Sequence, residues 1–451
     1  MAAEAAPNSA AVRARRILNA YPPDRLYRPA APRPHILVLG SDELARELCA
    51  GLFRLCHFRH GLETTVSLVV PPADLVSPEA FLPGAGLVGT LRTIATANGD
   101  AAALRAGLAD QPSVSGIYVT APWDLAALAR AFDAFPPVLT TTCPAGATPA
   151  VPCFAAVDGE SSDAADDSEA IARAIHEIYL QEQLARGHEL GAWPTLKPWE
   201  QLGEGDRDGN RFLADHIQVK LRDLGCGVAP SAKIGGLQFA ADELDQLARA
   251  EHRRWSAVRL LAGYRYAPAR DDAQKRHPDL VPFERLSPAQ QDLDRMAVRA
   301  TDAYLARAGL GVLRDAPVAV WVRNDIVVTD RFETGARRAL AELARHYPDR
   351  RLLLRCRLDA PAARAFCQVA IDAAGIALTA VLPDLPPPPE LWPLVARAGR
   401  IEVLPDEPTA LQRLGDGARL ALQIGRERNA GGGRTLVLDE AGQVLARPWH
   451  G

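Results

Sequence analysis

Between His35 and Cys143 the chain repeats one pattern, a short apolar run followed by a stretch with leucines three or four residues apart. "HILVLG" (His35 to Gly40) reads as a strand, and "SDELARELCAGLFRL" after it is helical by the spacing of Leu44, Leu48, Leu52 and Leu55, with Ser41 or Asp42 as N-cap. "TTVSLVVP" (Thr64 to Pro71), "GLVGTLRTIA", "SGIYVTAP" (Ser115 to Pro122) and "PPVLTTTC" (Pro136 to Cys143) supply further strands, and "WDLAALARAFDAF" a helix. This rhythm predicts a parallel α/β domain over 34–158, after an N-terminal extension of 1–33. The acidic stretch "GESSDAADDSE" opens a linker and connecting helix over 159–195, and the chain is then helical over 196–313. From Pro317 the alternation returns in "VAVWV", "LLLRC", "IALTAVLP" and "RIEVL", ending in the hairpin-like "RTLVLDEAGQVLAR". The expected architecture is therefore α/β, then all-helical, then a second α/β domain over 314–451.

The 451 residues suffice for about three domains of the usual size, and 48% apolar content allows each a core. A formal charge of −4 argues against a nucleic-acid scaffold. Seven scattered cysteines without a Cys-x-x-Cys pair fit a reducing compartment. The first 34 residues lack the apolar core of a signal peptide, and no apolar run approaches the ~20 residues of a membrane span. The expectation is a cytoplasmic protein, and the Ala- and Arg-rich usage fits a high-GC bacterial genome.

The first strand ends in Gly40 and opens a helix, the place where a Rossmann-like domain holds a dinucleotide pyrophosphate. The segment is similar to the N-terminal domain of bacterial potassium-uptake regulators, and that resemblance implies a Rossmann-like fold. Yet Gly40-Ser41-Asp42-Glu43-Leu44-Ala45 keeps one glycine and adds two carboxylates, and Val70-Pro71-Pro72 lacks an acid for a ribose. The expected role is scaffold rather than cofactor binding. "CAGLFRLCHFRH" clusters Cys49, Cys56, His57 and His60, but on a helix with an apolar inner face; no metal and no cofactor is expected. No nucleophile elbow, Walker loop or His-Glu-x-x-His is present, and "NAGGGRT" (Asn429 to Thr435) reads as a connector. No catalytic residue is assigned.

Residues Glu243 to Leu310 carry the most specific signal. Glu251-His252 and Trp255 stand on one helix, followed by Gly263-Tyr264-Arg265-Tyr266, Arg270-Asp271-Asp272, Lys275, His277-Pro278-Asp279-Leu280, Val281-Pro282-Phe283 and Leu286, then Asp294-Arg295 on a second helix. In order and spacing these resemble the RyR repeat, a small helical domain named from ryanodine receptors, with Tyr264 where the family usually has tryptophan and Ala267 where it has glycine. Gly263 ends the first helix, and Ser287-Pro288 starts the second as N-cap and N1. The resemblance implies binding of an adenine nucleotide near an aromatic at the loop start.

The residues agree with that expectation. Trp255, Tyr264 and Tyr266 offer flat faces for a base, and Arg265, Arg270 and Lys275 suit a phosphate, with Asp271 and His277 beside them. The plainer alternative makes Trp255 and His277 packing residues and lets the aspartates pin the loop by pairing with its cations. The function expected is a non-catalytic sensor of a nucleotide or nucleotide-derived ligand, an adenine or cyclic nucleotide, working as a homodimer in bacterial signalling or anti-phage defence. The alternatives are an enzyme with its site near Asp325, Asp330, Arg331 and Glu333, or a cation-transport regulator.

Overall fold

The protein is described by a computed structural model over residues 9–26, 34–59, 61, 63–112, 114–132, 138–140, 153–155, 163–230, 238–322, 328–346, 350–374, 376–382, 388–398, 400–403, 420–424, 434–438 and 444–446. Contacts divide the chain into two compact units. One comprises Met1–Phe132, Pro137–Thr148 and Cys153–Val312; the other comprises Asp133–Pro136, Pro149–Pro152 and Leu313–Gly451. Among the described residues no helix is long and apolar enough to cross a membrane.

The first unit opens with helices α1 (Ala10–Ala20) and α2 (Pro23–Leu26). There follow β1 (His35–Leu39), α3 (Glu43–Leu55), β2 (Thr65–Val70), α4 (Pro78–Phe81), β3 (Thr90–Ala95) and α5 (Ala101–Leu108). Strand β4 (Gly116–Val119), helix α6 (Leu125–Arg130), and strands β5 (Val138–Thr140) and β6 (Cys153–Ala155) complete the sheet. Its order is β3-β2-β1-β4-β5-β6, with every pairing parallel. That is the strand order of a doubly wound sheet. β1, β2 and β4 are buried at every position, which is why their sequences read as mostly apolar runs. Edge strand β3 is more open and buries only Leu91 and Ile94.

Helix α1 belongs to this core. Its Ala14, Ile17 and Leu18 are buried, and it packs on α3. Gly51 allows the approach, since a Cβ there would lie 2.3 Å from Leu18 Cδ1.

The helical part of the same unit contains α7 (Asp163–Ala185), α8 (Glu204–Asp223), β7 (Cys226–Pro230) and α9 (Ala241–Leu261). Two-residue strands β8 (Arg265–Tyr266) and β9 (Arg276–His277), then α10 (Pro288–Arg299) and α11 (Thr301–Arg307), follow. Ile171, Trp199, Ile217, Leu221 and Leu305 pack into one cluster that joins α7, α8 and α11. Helix α9 pairs with α10, where Ala248, Phe283 and Leu286 form a smaller core.

In the second unit the elements are β10 (Leu310–Val322), α12 (Asp330–His346), β11 (Arg350–Arg357), α13 (Pro361–Ala374), β12 (Ala377–Leu382), α14 (Trp392–Arg397), β13 (Arg400–Val403), β14 (Leu420–Ile424), β15 (Arg434–Leu438) and β16 (Val444–Ala446). Strand order runs β13-β12-β11-β10-β14-β15-β16, parallel until the antiparallel β15–β16 pair. Phe332, Leu340 and Leu343 of α12 and Phe366 of α13 are buried. The strands anticipated at 318–322, 352–356 and 376–382 all lie in this sheet, the last beginning one residue later.

The candidate ligand-binding face of the helical region

Helix α9 stops because Gly263, at φ +90°, turns left-handed. Its N–H donates to the Leu260 carbonyl at 3.0 Å, and the next, from Tyr264, donates to Arg259 O at 2.9 Å. This crossed pair is a Schellman termination, satisfying two carbonyls that the helix leaves open. The chain then runs back over the helix end. Arg265 N–H donates to Lys275 O at 2.9 Å, aligning β8 with β9. Asp271 and Arg276 exchange backbone bonds of 3.0 and 2.7 Å, and Asp271 Oδ1 accepts from Gln274 N–H at 2.9 Å. Lys275 takes up φ +54° to close this turn.

Two of the anticipated cations serve the loop itself. Lys275 Nζ donates to Ala262 O at 2.9 Å, and Arg265 Nη1 donates to Leu260 O and Tyr264 O at 3.2 and 2.8 Å. Both cover the carbonyl end of α9, where positive charge is favoured. Arg270 pairs with Asp272 at 2.9 Å in an exposed position, and Tyr264 Oη donates to the same carboxylate at 3.3 Å. Arg270 holds the Asp272 carboxyl below its ordinary value.

The aromatic residues divide. Tyr266 is 58% exposed. Trp255 is half-buried, stacked on His252 at 5.7 Å and met edge-on by His277 at 4.9 Å. His277 is buried behind it, and its Nδ1 accepts from Asp279 N–H at 3.2 Å. Burial, with Arg270 and Arg259 assisting, lowers its pKa despite Asp279. His277 thus braces Trp255 rather than lining an open surface. His252 Nε2 lies 2.8 Å from Val281 O and Nδ1 3.2 Å from Asp294. Burial opposes its charge, but Asp294 and that carbonyl raise its pKa overall.

One residue went unselected in the sequence. Arg259, one turn beyond Trp255 on α9, places its guanidinium 5.0 Å from the Tyr264 ring centre and 5.9 Å from that of Trp255. Its Nε is buried without a hydrogen-bond partner. The signal was the i, i+4 spacing from Trp255, which puts both on one helix face.

One turn before Trp255, α9 buries charge. Glu251 accepts from Lys220 at 2.8 Å and from Arg254 at 2.6 Å, all three being nearly inaccessible. Although burial alone would raise it, Arg254 and Lys220 hold the Glu251 carboxyl well below its ordinary value. His216 Nδ1 is 3.7 Å from Glu251, and burial lowers its pKa to about 4.

The profile of the RyR domain matches residues 239–313. The chain contains an RyR domain. The match covers α9, the loop, α10 and α11, and no curated protein matches the chain.

The other sequence candidates belong to other elements of the chain. At the Gly40 turn, Asp42 Oδ1 accepts from Ala45 N–H at 2.8 Å and from Thr120 Oγ1 at 2.9 Å. The α3 N-terminus is thus capped by its own carboxylate. Cys49 and Cys56 are buried, and burial pushes both thiols up. His57 Nε2 is 2.7 Å from Phe53 O, and burial lowers its pKa to about 3. His60 lies outside the described residues, as do Asp325 and most of 429–435. Asp330 and Glu333 are exposed in the first turn of α12.

Proposed function

We propose that the RyR domain is the ligand-binding part of a non-catalytic sensor, and that its ligand is an adenine nucleotide or a cyclic nucleotide. The observation that carries the reading is Arg259, a cation between two aromatic faces with an unpartnered Nε. Such a group suits an anionic ligand with a flat ring, and the exposed Tyr266 offers a further stacking face. In this reading Tyr264 or Tyr266 stacks on the base while Arg259 and Arg270 meet phosphate. Lys275 and Arg265 hold the loop, and Trp255 with His277 supports it from behind.

A stacked base gains most when both faces are covered, at roughly 1–3 kcal/mol per contact. A two-fold dimer would supply the second face from the same residues. The flanking α/β parts, read as Rossmann-like, would oligomerise or pass on the signal in a bacterial cytoplasm.

Thermal shift with ATP, AMP and cyclic nucleotides tests this. Tyr264→Ala should abolish nucleotide-induced stabilisation and leave the unliganded Tm within a few degrees. If the unliganded protein collapses instead, Tyr264 serves packing alone.

A further inference from the structure

A cavity of about 760 Å3 opens between α1, α3, α7 and α8, away from the RyR loop. Its charges are sorted by element. Glu169 on α7 and Glu204, Asp208 and Asp215 on α8 supply four carboxylates. Two arginines are committed to them. Arg15 bonds Asp215 at 2.9 Å twice and Glu169 at 2.9 Å, while Arg211 bonds Glu169, Glu204 and Asp208 at 2.9, 2.5 and 3.0 Å. Two negative charges therefore remain on this side. Across the cavity, Arg16 on α1 and Arg54 on α3 supply two positive charges, and Glu47 on α3 adds a carboxylate that pairs with Arg46 at 3.4 Å.

Arg54 is the unusual member. Its guanidinium lies 4.4 Å from the Phe212 ring centre, and its Nε is buried with no hydrogen-bond partner. Among the described residues it has no ion pair. Burial lowers its pKa although Glu47 and Asp208 pull the other way, and burial raises the pKa of Asp208. A guanidinium and a carboxylate thus face one cavity, feel each other's field and do not meet. Asp208 has Arg211 for a partner, but leaving the Arg54 guanidinium desolvated and unpaired is costly.

We propose that this cavity binds a zwitterion of the apolar amino-acid type, its carboxylate on Arg54 and Arg16 and its ammonium on Asp208 and Glu204. A lone anion or a lone cation would satisfy one side and upset the balance of the two, whereas a zwitterion satisfies both and adds no net charge. Val12, Leu55 and Phe212 supply an apolar wall for its side chain.

The full chain is titrated by calorimetry and thermal shift with L-leucine, L-isoleucine, L-methionine and L-phenylalanine. Alongside run 4-methylpentanoate and isoamylamine, which keep one charge of leucine each. At least one amino acid should bind and raise the Tm, and neither single-charge analogue should match it. Arg54→Gln and Asp208→Asn should each weaken binding by roughly tenfold or more, as expected for a lost charged hydrogen bond, and Tyr264→Ala should leave it unchanged. Should Arg54→Gln fail to fold, Arg54→Lys keeps the charge and removes the guanidinium fork, and a similar loss is expected. The proposal is overturned if none of the four binds, if the carboxylate or amine analogue binds as tightly as leucine, or if the Arg54 variant that folds binds like the parent.

Discussion

Helix α9 and the loop that follows it each hold ion pairs, and the two sets behave oppositely. Inside, Glu251 is held by Lys220 and Arg254 with almost no water contact. Outside, Arg270 and Asp272 make an ion pair of the same length as many inside, yet both are more than half exposed. Geometry alone would rank them equal. The dielectric separates them, because a buried charge that loses its partner cannot turn to water.

The comparison breaks first at Glu251. Glu251→Ala leaves Lys220 and Arg254 uncompensated, and urea unfolding should show a loss of roughly 3–5 kcal/mol. A loss below about 1 kcal/mol would mean that water reaches the cluster. Next comes the turn that separates the two sets. Gly263→Ala forces a side chain into φ +90°, costing about 1–2 kcal/mol, although the nearest atom to the new Cβ, Lys275 Cδ, is at an ordinary 3.5 Å.

A smaller effect should appear with pH. The pKa of His252 is raised in the fold, so its contribution is full below the ordinary histidine value of 6.5 and is lost as pH rises through the folded value. Stability measured from pH 6 upward should fall in the parent more steeply than in His252→Gln. The smallest change is expected at the exposed pair: Arg270→Ala should leave stability within about 0.5 kcal/mol. Under the proposed function it should still weaken nucleotide binding, and an unchanged nucleotide affinity would confine Arg270 to shaping the loop.

The sequence made visible what depends on near neighbours. The N-cap of α3, Asp42 of the two residues offered, the Ser287 N-cap with Pro288 and the glycine stop at Gly263 each involve residues within about one helical turn, and all appear in the structure. Buried strands β1 and β2 were legible because both faces are covered, which leaves mostly apolar residues, while buried His35 and Ser67 satisfy each other at 2.8 Å. What escaped depends on distant partners. Lys275 looked like a phosphate ligand because its acceptor, Ala262 O, is reached only when the loop folds back. Arg259 was not singled out, since the Tyr264 ring meets it only when the chain turns back at the end of α9. Residues 10–20 gave no sign that they would pack on α3, because an apolar stripe does not name its partner.

That first helix sets a timetable for the chain. Arg15 meets Asp215 across 200 residues, so its bonds form only after α8 has been made. At the usual 5–20 residues per second, roughly 10–40 s of synthesis separate the two. During that interval the apolar side of α1 has α3 to rest on, but its arginine has no carboxylate from α8. Helix α1 is therefore made before α8 and yet is secured only after it.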